Sequence, residues 1–580
     1  MTLEESAGRQ LIVFCDGTNN NVTGGHNDTN VVKLCQLLAD ANDGGQQFFY
    51  DPGVGNPGEL PGATLVDQWN RVKERIAGLA FGRGVYENIA QCYLFLMRNH
   101  QPGDAIFIFG FSRGAFTARS LSGLVNMFGI LKPHMDSMVP TLLHIYFSDR
   151  AAASTAGERP NSSKNPTGSI EDITAQTSRL FASQNARNVE MQFVGIWDTV
   201  ESVGVPPFSA RITSAPTIVG KAFRNVRQAL ALDEQRAQFK PRLYSDNNGT
   251  YATRNGNPAT LEQRWFRGAH CDVGGGYEPG HTGISDRALA WLVGEATLCG
   301  LRVAYNELPL LGESAVAAAL FPPASASAMP DQLVHSELYE THLWALTGMA
   351  LRDTTRVAVD HGTVYPVRPQ EHPSVAAVAG TYPQHTMWIR KRTKGTGFWI
   401  ALCLVPLLLL ALGHALTNEP STGVWWRDVL NWPSHSWSYL AQNLRFAQWQ
   451  LTWWYQGDMS TSLGRFDSPR WAVTWDLVFI AAYAYLLAWF AVAAFARHAG
   501  LRRAGDPTSR WLNILGWALP LGVFSDVAED ILTWVMVTLV GSDLTMLAAL
   551  AGLCMSALAL CKFVGLAGVV VLCCSPARRR

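Results

Sequence analysis

Residues 104–120, DAIFIFGFSRGAFTARS, constrain the fold of this chain more than any other stretch. They read as a buried β-strand running straight into a helix, with Ser112 at the corner. After Asp104 the strand part carries no charge, which suits a strand covered on both faces in a parallel sheet flanked by helices. The corner, Gly110-Phe111-Ser112-Arg113-Gly114, has the G-x-S-x-G spacing. Glycines two residues either side of the serine let strand and helix pass without a Cβ clash, and a strained turn exposes the hydroxyl. The helix that follows aims its first backbone N–H groups at any anion that forms on the serine. The plainer alternative is an ordinary glycine-lined strand–helix turn.

A nucleophile needs an acid and a base. Residues 188–197, NVEMQFVGIW, are strand-like and lead into Asp198; residues 263–269, QRWFRGA, are strand-like and lead into His270. Both therefore fall where a strand gives way to a loop, and open parallel sheets place their chemistry at the carboxyl ends of strands. Ser112, Asp198, His270 is the chain order of α/β-hydrolases. In that arrangement His270 takes the Ser112 proton, while Asp198 fixes the imidazole tautomer and stabilises its cation. Competing assignments make Asp198 a turn cap, with Asp272 or Asp286 orienting the histidine, or make His270 structural, with His281 as its substitute. The run Gly274-Gly275-Gly276 is suited to packing the His270 loop against the elbow.

Near the N-terminus, LIVFCDGTNN at 11–20 is a short apolar strand followed by Asp16-Gly17-Thr18. An oxyanion would take one donor from the N–H of Arg113, after the nucleophile, and a second from Gly17 or Thr18 on this early loop. A strand-end DGT could instead bind a metal or phosphate. No second carboxylate or histidine cluster accompanies it at a recognisable spacing, so no metal and no cofactor are expected.

Further blocks carry a family pattern: YDPGVGN at 50–56, GFSRGAFTARSLSGLV at 110–125, GIWDTVESVG at 195–204, ALALDEQR at 229–236, RGAHCDVGGGY at 267–277 and SDRALAWL at 285–292. With LIVFCDGTNN they make seven collinear blocks over about 280 residues, far more specific together than any one alone. The chain resembles the uncharacterised α/β-hydrolase domain that forms the catalytic part of type VI secretion phospholipase effectors. The resemblance covers roughly residues 8–390. It implies an acyl-ester hydrolase acting on membrane phospholipid, with Ser112, Asp198 and His270 as the triad. It also implies a secretion spike protein and a cognate immunity protein as partners, and delivery to a target-cell periplasm.

Charge and cysteines bound the rest. Forty-six basic and 46 acidic residues leave no net charge, which argues against nucleic acid as a partner. Ten scattered cysteines without a C-x-x-C suit reduced thiols made in a cytoplasm. MTLEESAGRQ has neither a basic n-region nor an apolar h-region, so no cleavable signal peptide is expected.

The composition changes sharply near residue 395, which predicts a catalytic α/β-hydrolase-like domain over 1–390 and a multi-pass membrane region over 391–580. Within the first, 150–178 reads as a mobile polar loop, and 205–260 as an insertion covering the site. Residues 397–416 and 477–496 are each twenty positions without a formal charge, long enough to cross a hydrocarbon core of about 30 Å. Residues 511–541 and 544–573 are expected to be two further crossings. Basic residues precede the first span, fill 497–510 and close the chain, so the positive-inside rule puts the hydrolase domain, that loop and the C-terminus on one side. The loop 417–470 holds seven of the 20 tryptophans, suited to the headgroup zone or to a small packed cap. A rival function is transport, a channel or a structural role, with an inactive hydrolase-like domain and with Asp526, Glu529 and Asp530 as the working groups.

Overall fold

The computed structural model describes residues 8–17, 28–40, 45–53, 83–155, 189–200, 202–203, 210–211, 217–246, 248–277, 283–305, 308–320, 334–352, 354, 358–360, 363–365, 369–377, 469–499, 507–540 and 545–574. The chain divides into two compact units. One joins Met1–Ser336 to Arg352–Tyr382; the other joins Glu337–Leu351 to Pro383–Arg580.

The first unit is built on an eight-stranded sheet. Its strands are β1 (Gln10–Cys15), β2 (Gln46–Asp51), β3 (Ala105–Phe111), β4 (Met191–Trp197), β5 (Asn225–Ala231), β6 (Gly249–Ala252), β7 (Pro258–Phe266) and β8 (Gln370–Glu371). The order is β8-β7-β5-β4-β3-β1-β2, all neighbours parallel, with β6 antiparallel on β7. The chain enters at β1, winds outward to β2, then crosses back to β3 and continues the other way. The crevice outside the carboxyl ends of β1 and β3 is therefore the topological switch point.

Alternation along β1 splits the core. Leu11, Val13 and Cys15 pack with Val85, Ile89 and Leu96 of α2 (Arg83–Asn99) and with Phe116 and Leu124 of α3 (Arg113–Phe128). Ile12 and Phe14 point to the opposite face, in one cluster with Val31 and Leu34 of α1 (Asn30–Asp40), Phe107, Phe193 and Trp291 of α6 (Gly283–Leu298). Phe14, Phe109 and Phe193 run across three strands with centroids 5.7 and 5.6 Å apart.

Two expectations change here. Residues 205–260 contain β5, a central strand of the sheet, as well as β6, so those parts of the stretch are scaffold and not a cover. Helix α4 (Val139–Thr155) runs through the first residues of the polar stretch 150–178; the remainder lies outside the described residues.

The second unit includes α7 (Pro469–Ala499), α8 (Pro507–Leu515), α9 (Ala518–Val540) and α10 (Thr545–Cys574). Ala488, Val492 and Phe495 of α7 pack with Leu519 and Val523 of α9 and Val569 and Leu572 of α10. At Gly565 the backbones of α9 and α10 meet, since a Cβ there would lie 2.3 Å from the Gly522 nitrogen. Leu338 and Met349 belong to the same core, and Leu351 N–H donates to Asn513 Oδ1 at 2.7 Å.

The membrane expectation is supported only in outline. Among the described residues two stretches, Leu477–Ala496 and Arg510–Leu532, are long and apolar enough to cross a membrane. The second of these stretches falls largely within the crossing expected over 511–541, and a turn at 516–517 separates α8 from α9 inside it. Residues 397–416 and the tryptophan-rich 417–468 lie outside the described residues. The acids of α9 are not loose charges: Asp526 and Glu529 lie 2.5 and 3.6 Å from Lys562 of α10, and Tyr483 of α7 donates to Asp526.

Candidate active site

Ser112 stands between the last residue of β3 and the first of α3, at φ 58° and ψ −120°. That backbone is unfavourable for any residue with a Cβ and persists only where its surroundings impose it. The flanking glycines show how. A Cβ on Gly110 would lie 2.5 Å from the Gly114 carbonyl oxygen, and one on Gly114 would lie 2.0 Å from that of Cys15. Ser112 N–H also donates to the Trp197 carbonyl at 3.1 Å, tying the corner to the end of β4.

Asp198 follows β4 directly, with φ 41° and no exposure. Its Oδ1 accepts the Ala231 N–H at 3.0 Å and Arg352 Nη1 at 2.5 Å. Its Oδ2 accepts Arg352 Nη2 at 2.8 Å and lies 2.6 Å from His270 Nδ1. Burial alone would push this carboxyl up; the Arg352 charge and the hydrogen bonds from His270 and Arg352 outweigh it and hold it well below the usual range. An ionised carboxylate only accepts, so Nδ1 carries the proton, and in the neutral ring the lone pair is then on Nε2.

His270 opens the short helix α5 (His270–Gly274). Its ring lies 4.7 Å from that of Phe111, the residue before Ser112, and 5.1 Å from that of Phe239. Nε2 is buried without a hydrogen-bond partner. Gly274 closes the packing, for a Cβ there would lie 1.8 Å from the Phe111 ring. The structure thus brings His270 onto Asp198 and sets its ring on the elbow that carries Ser112.

The rival acids are engaged elsewhere. Asp272 pairs with His335 Nδ1 at 2.6 Å and accepts the Ala269 and His335 N–H groups, and burial keeps its carboxyl raised. Asp286 pairs with Lys33 at 2.6 Å. His281 lies outside the described residues.

Of the residues expected to serve an oxyanion, Gly17 has its N–H engaged by a side chain. Gly17 does lie beside the elbow, since Gly114 packs on the Cys15 and Asp16 carbonyls. Its N–H donates to Asp16 Oδ1 at 2.6 Å. Asp16 in turn accepts Thr29 Oγ1 at 2.9 Å and Tyr50 Oη at 2.8 Å. Thr18 lies outside the described residues, and Arg113 stands at the first position of α3, next to Ser112.

Two charged residues of the site were not anticipated. Arg352 is one; Glu234 is the other. Glu234 is 2 % exposed, accepts the His270 N–H at 3.2 Å, and holds Arg236 in a two-point pair at 2.9 and 2.7 Å. Burial raises its carboxyl, but Arg236 prevails and draws it down to about 2. Glu234 sits in the ALALDEQR block, a signal that was present; nothing around Arg352 in the sequence marks it. Away from this cluster, Cys15, Asp51 and Cys92 are buried with donor atoms close enough to hold a metal ion, the two sulfurs 3.8 Å apart.

A parallel α/β sheet with a polar cluster at its switch point defines an α/β enzyme architecture. Residues 9–295 match the family described as T6SS, phospholipase effector Tle1-like, catalytic domain, and this part of the chain belongs to that family. It is also similar to the uncharacterized protein YEL023C of Saccharomyces cerevisiae, 32% identical over 242 residues. That alignment covers 40% of this chain and 32% of the yeast protein, so the chain spans about a third of that relative. A crystal structure of an uncharacterized protein from Pseudomonas aeruginosa aligns at 17% identity and TM-score 0.28, over 58% of this chain and 53% of that one.

Proposed function

We propose that the chain is a serine-dependent carboxylic ester hydrolase acting on the acyl esters of membrane phospholipid. The observation that carries this reading is His270, whose Nδ1 lies on Asp198 while its ring packs on Phe111, the residue before Ser112, and its Nε2 is buried without a hydrogen-bond partner among the described residues. Nε2 takes the Ser112 proton as Oγ attacks the acyl carbonyl. The Arg113 N–H meets the developing oxyanion, and the imidazolium then protonates the departing alcohol. Water, activated by the same nitrogen, releases the fatty acid from the acyl-enzyme.

In this reading residues 1–390 are the catalytic domain and 391–580 hold it at the bilayer. Most of the exposed large apolar side chains among the described residues lie on α7 to α10, including Trp511, Ile514, Leu560 and Val570, as a lipid-facing surface would require. A type VI secretion role, with a spike protein and an immunity protein as partners, follows from the family and belongs to the same proposal.

Fluorophosphonate labelling of the purified full chain tests the reading. Ser112 should label stoichiometrically and Ser112→Ala should not. An unlabelled, folded wild-type chain would move the function to the helices, where Asp526, Glu529 and Lys562 are paired.

A further inference from the structure

Arg352 makes contacts that fixing a loop does not require. Its side chain is 3 % exposed, and its two terminal nitrogens make four hydrogen bonds. Two go to Asp198, one to each carboxylate oxygen. The others go to the Ala231 carbonyl at 2.7 Å and the Phe239 carbonyl at 2.6 Å. Ala231 is the residue whose N–H also binds Asp198, and Phe239 carries the ring set edge-on to His270. One guanidinium thus grips the acid and the backbone of one wall of the imidazole pocket.

We infer that Arg352 is a positioning residue: by sharing the Asp198 carboxylate with His270 it sets how much negative charge that carboxylate presents to the imidazole. This inference rests on the proposed triad.

Asp198 is fully buried and Oδ2 is divided between His270 and Arg352. A buried carboxylate facing an imidazole alone stabilises the imidazolium strongly and holds it in the form that cannot accept a proton from serine. A second cation on the same carboxylate opposes that while keeping Asp198 ionised. Two of the other charged groups near His270 are paired. Glu234 is met by Arg236, Asp272 of α5 by His335, and Arg113 lies beside Ser112, its guanidinium lowered to about 10 by burial. Arg352 is the cation that directly counters Asp198. Lysine could supply the charge but not the fork, which needs two parallel donors in one plane.

The test compares full-length wild type, Arg352→Met and Arg352→Lys, using short-chain ester hydrolysis against pH. Histidine labelled at Cε1 is followed by NMR in parallel, with the His270 signal identified by its loss in His270→Asn. With Arg352→Met the acid limb of kcat/KM and the titration of the Asp198–His270 pair should both move up by about one pH unit. Arg352→Lys should recover most of that shift while still losing kcat. A purely structural arginine would give lower thermal stability with neither midpoint moved, and that result overturns the inference. Should Arg352→Met not fold, the lysine variant decides: a lysine pair titration equal to that of Arg352→Gln, with neither displaced from wild type, refutes it. Failure of the esterase reading is separate. It would show as Ser112→Ala hydrolysing like wild type, and the NMR titration would still report on Arg352.

Discussion

Ser112 and Asp198 are the two non-glycine residues at positive φ among the described residues, and both belong to the proposed triad. Such strain survives only where packing imposes it, here by Gly110 and Gly114 and by the Trp197 and Ala229 carbonyls that bind the two N–H groups. Ser112→Ala should therefore leave the fold intact and cut ester hydrolysis by about four to six orders of magnitude. Turnover near wild type on a short-chain ester would remove Ser112 from the mechanism. Asp198→Asn should lose about four orders through the wrong tautomer, whereas Asp286→Asn, which breaks only a pair with Lys33, should lose less than tenfold. Glu234 offers a stability test with a defined sign. Its carboxyl lies near 2 in the fold against 4.5 normally, so its contribution is complete above about pH 5 and fades as pH falls toward 2. Glu234→Gln should thus be less stable than wild type at pH 7 by about 3 kcal/mol, because it removes the charge that meets buried Arg236, and the gap should narrow on acidification. A constant gap from pH 7 to 3 would deny the ion pair its role.

At the scale of elements, the strand–helix corner was legible because its signals are local. A charge-free strand, glycines at fixed offsets and a small-residue helix all fall within seventeen residues, and Asp198 and His270 likewise announce themselves as strand ends. Strand β5 was hidden by its own sequence, NVRQALA, whose polar residues suggest a surface loop. In the fold Arg227 pairs with Glu295 at 2.7 Å and Gln228 donates to the Arg242 carbonyl at 2.8 Å, so central burial is compensated by partners far along the chain. Arg352 was invisible for the same reason, since its partner Asp198 is 154 residues away. Local patterns cannot encode such pairings. The elbow also yields a packing prediction. Gly114→Ala drives a Cβ into the Cys15 and Asp16 carbonyls and should cost about 3 kcal/mol or abolish folding. Gly276→Ala meets no atom within 4 Å and strains only its φ of 112°, for about 1–2 kcal/mol. Equal thermal shifts for the two variants would contradict the close approach of α3 to β1.

For the whole molecule, the natural experiment of ending the chain at Lys391 is compromised by its domain arrangement. Residues Glu337–Leu351 belong to the second unit, where Leu338 and Met349 are buried with the helices. A truncated chain would keep that segment and lose its cover, so aggregation would say nothing about lipid. The intact protein gives a cleaner test. If α7 to α10 present their apolar side chains to a bilayer, purified full-length protein should float with phospholipid vesicles and resist extraction at high pH, as a spanning helix does and a charge-bound protein does not. Ser112→Ala should float equally well and release no fatty acid, which separates attachment from chemistry. Attachment should also raise the rate on bilayer phospholipid relative to a dispersed short-chain ester, because enzyme and substrate then share one surface and encounter is no longer set by bulk concentration. Protein that stays in the soluble fraction yet hydrolyses vesicle lipid at full rate would leave these helices as the core of a soluble unit. Vesicle leakage caused equally by wild type and Ser112→Ala would instead place the membrane activity in the helices themselves.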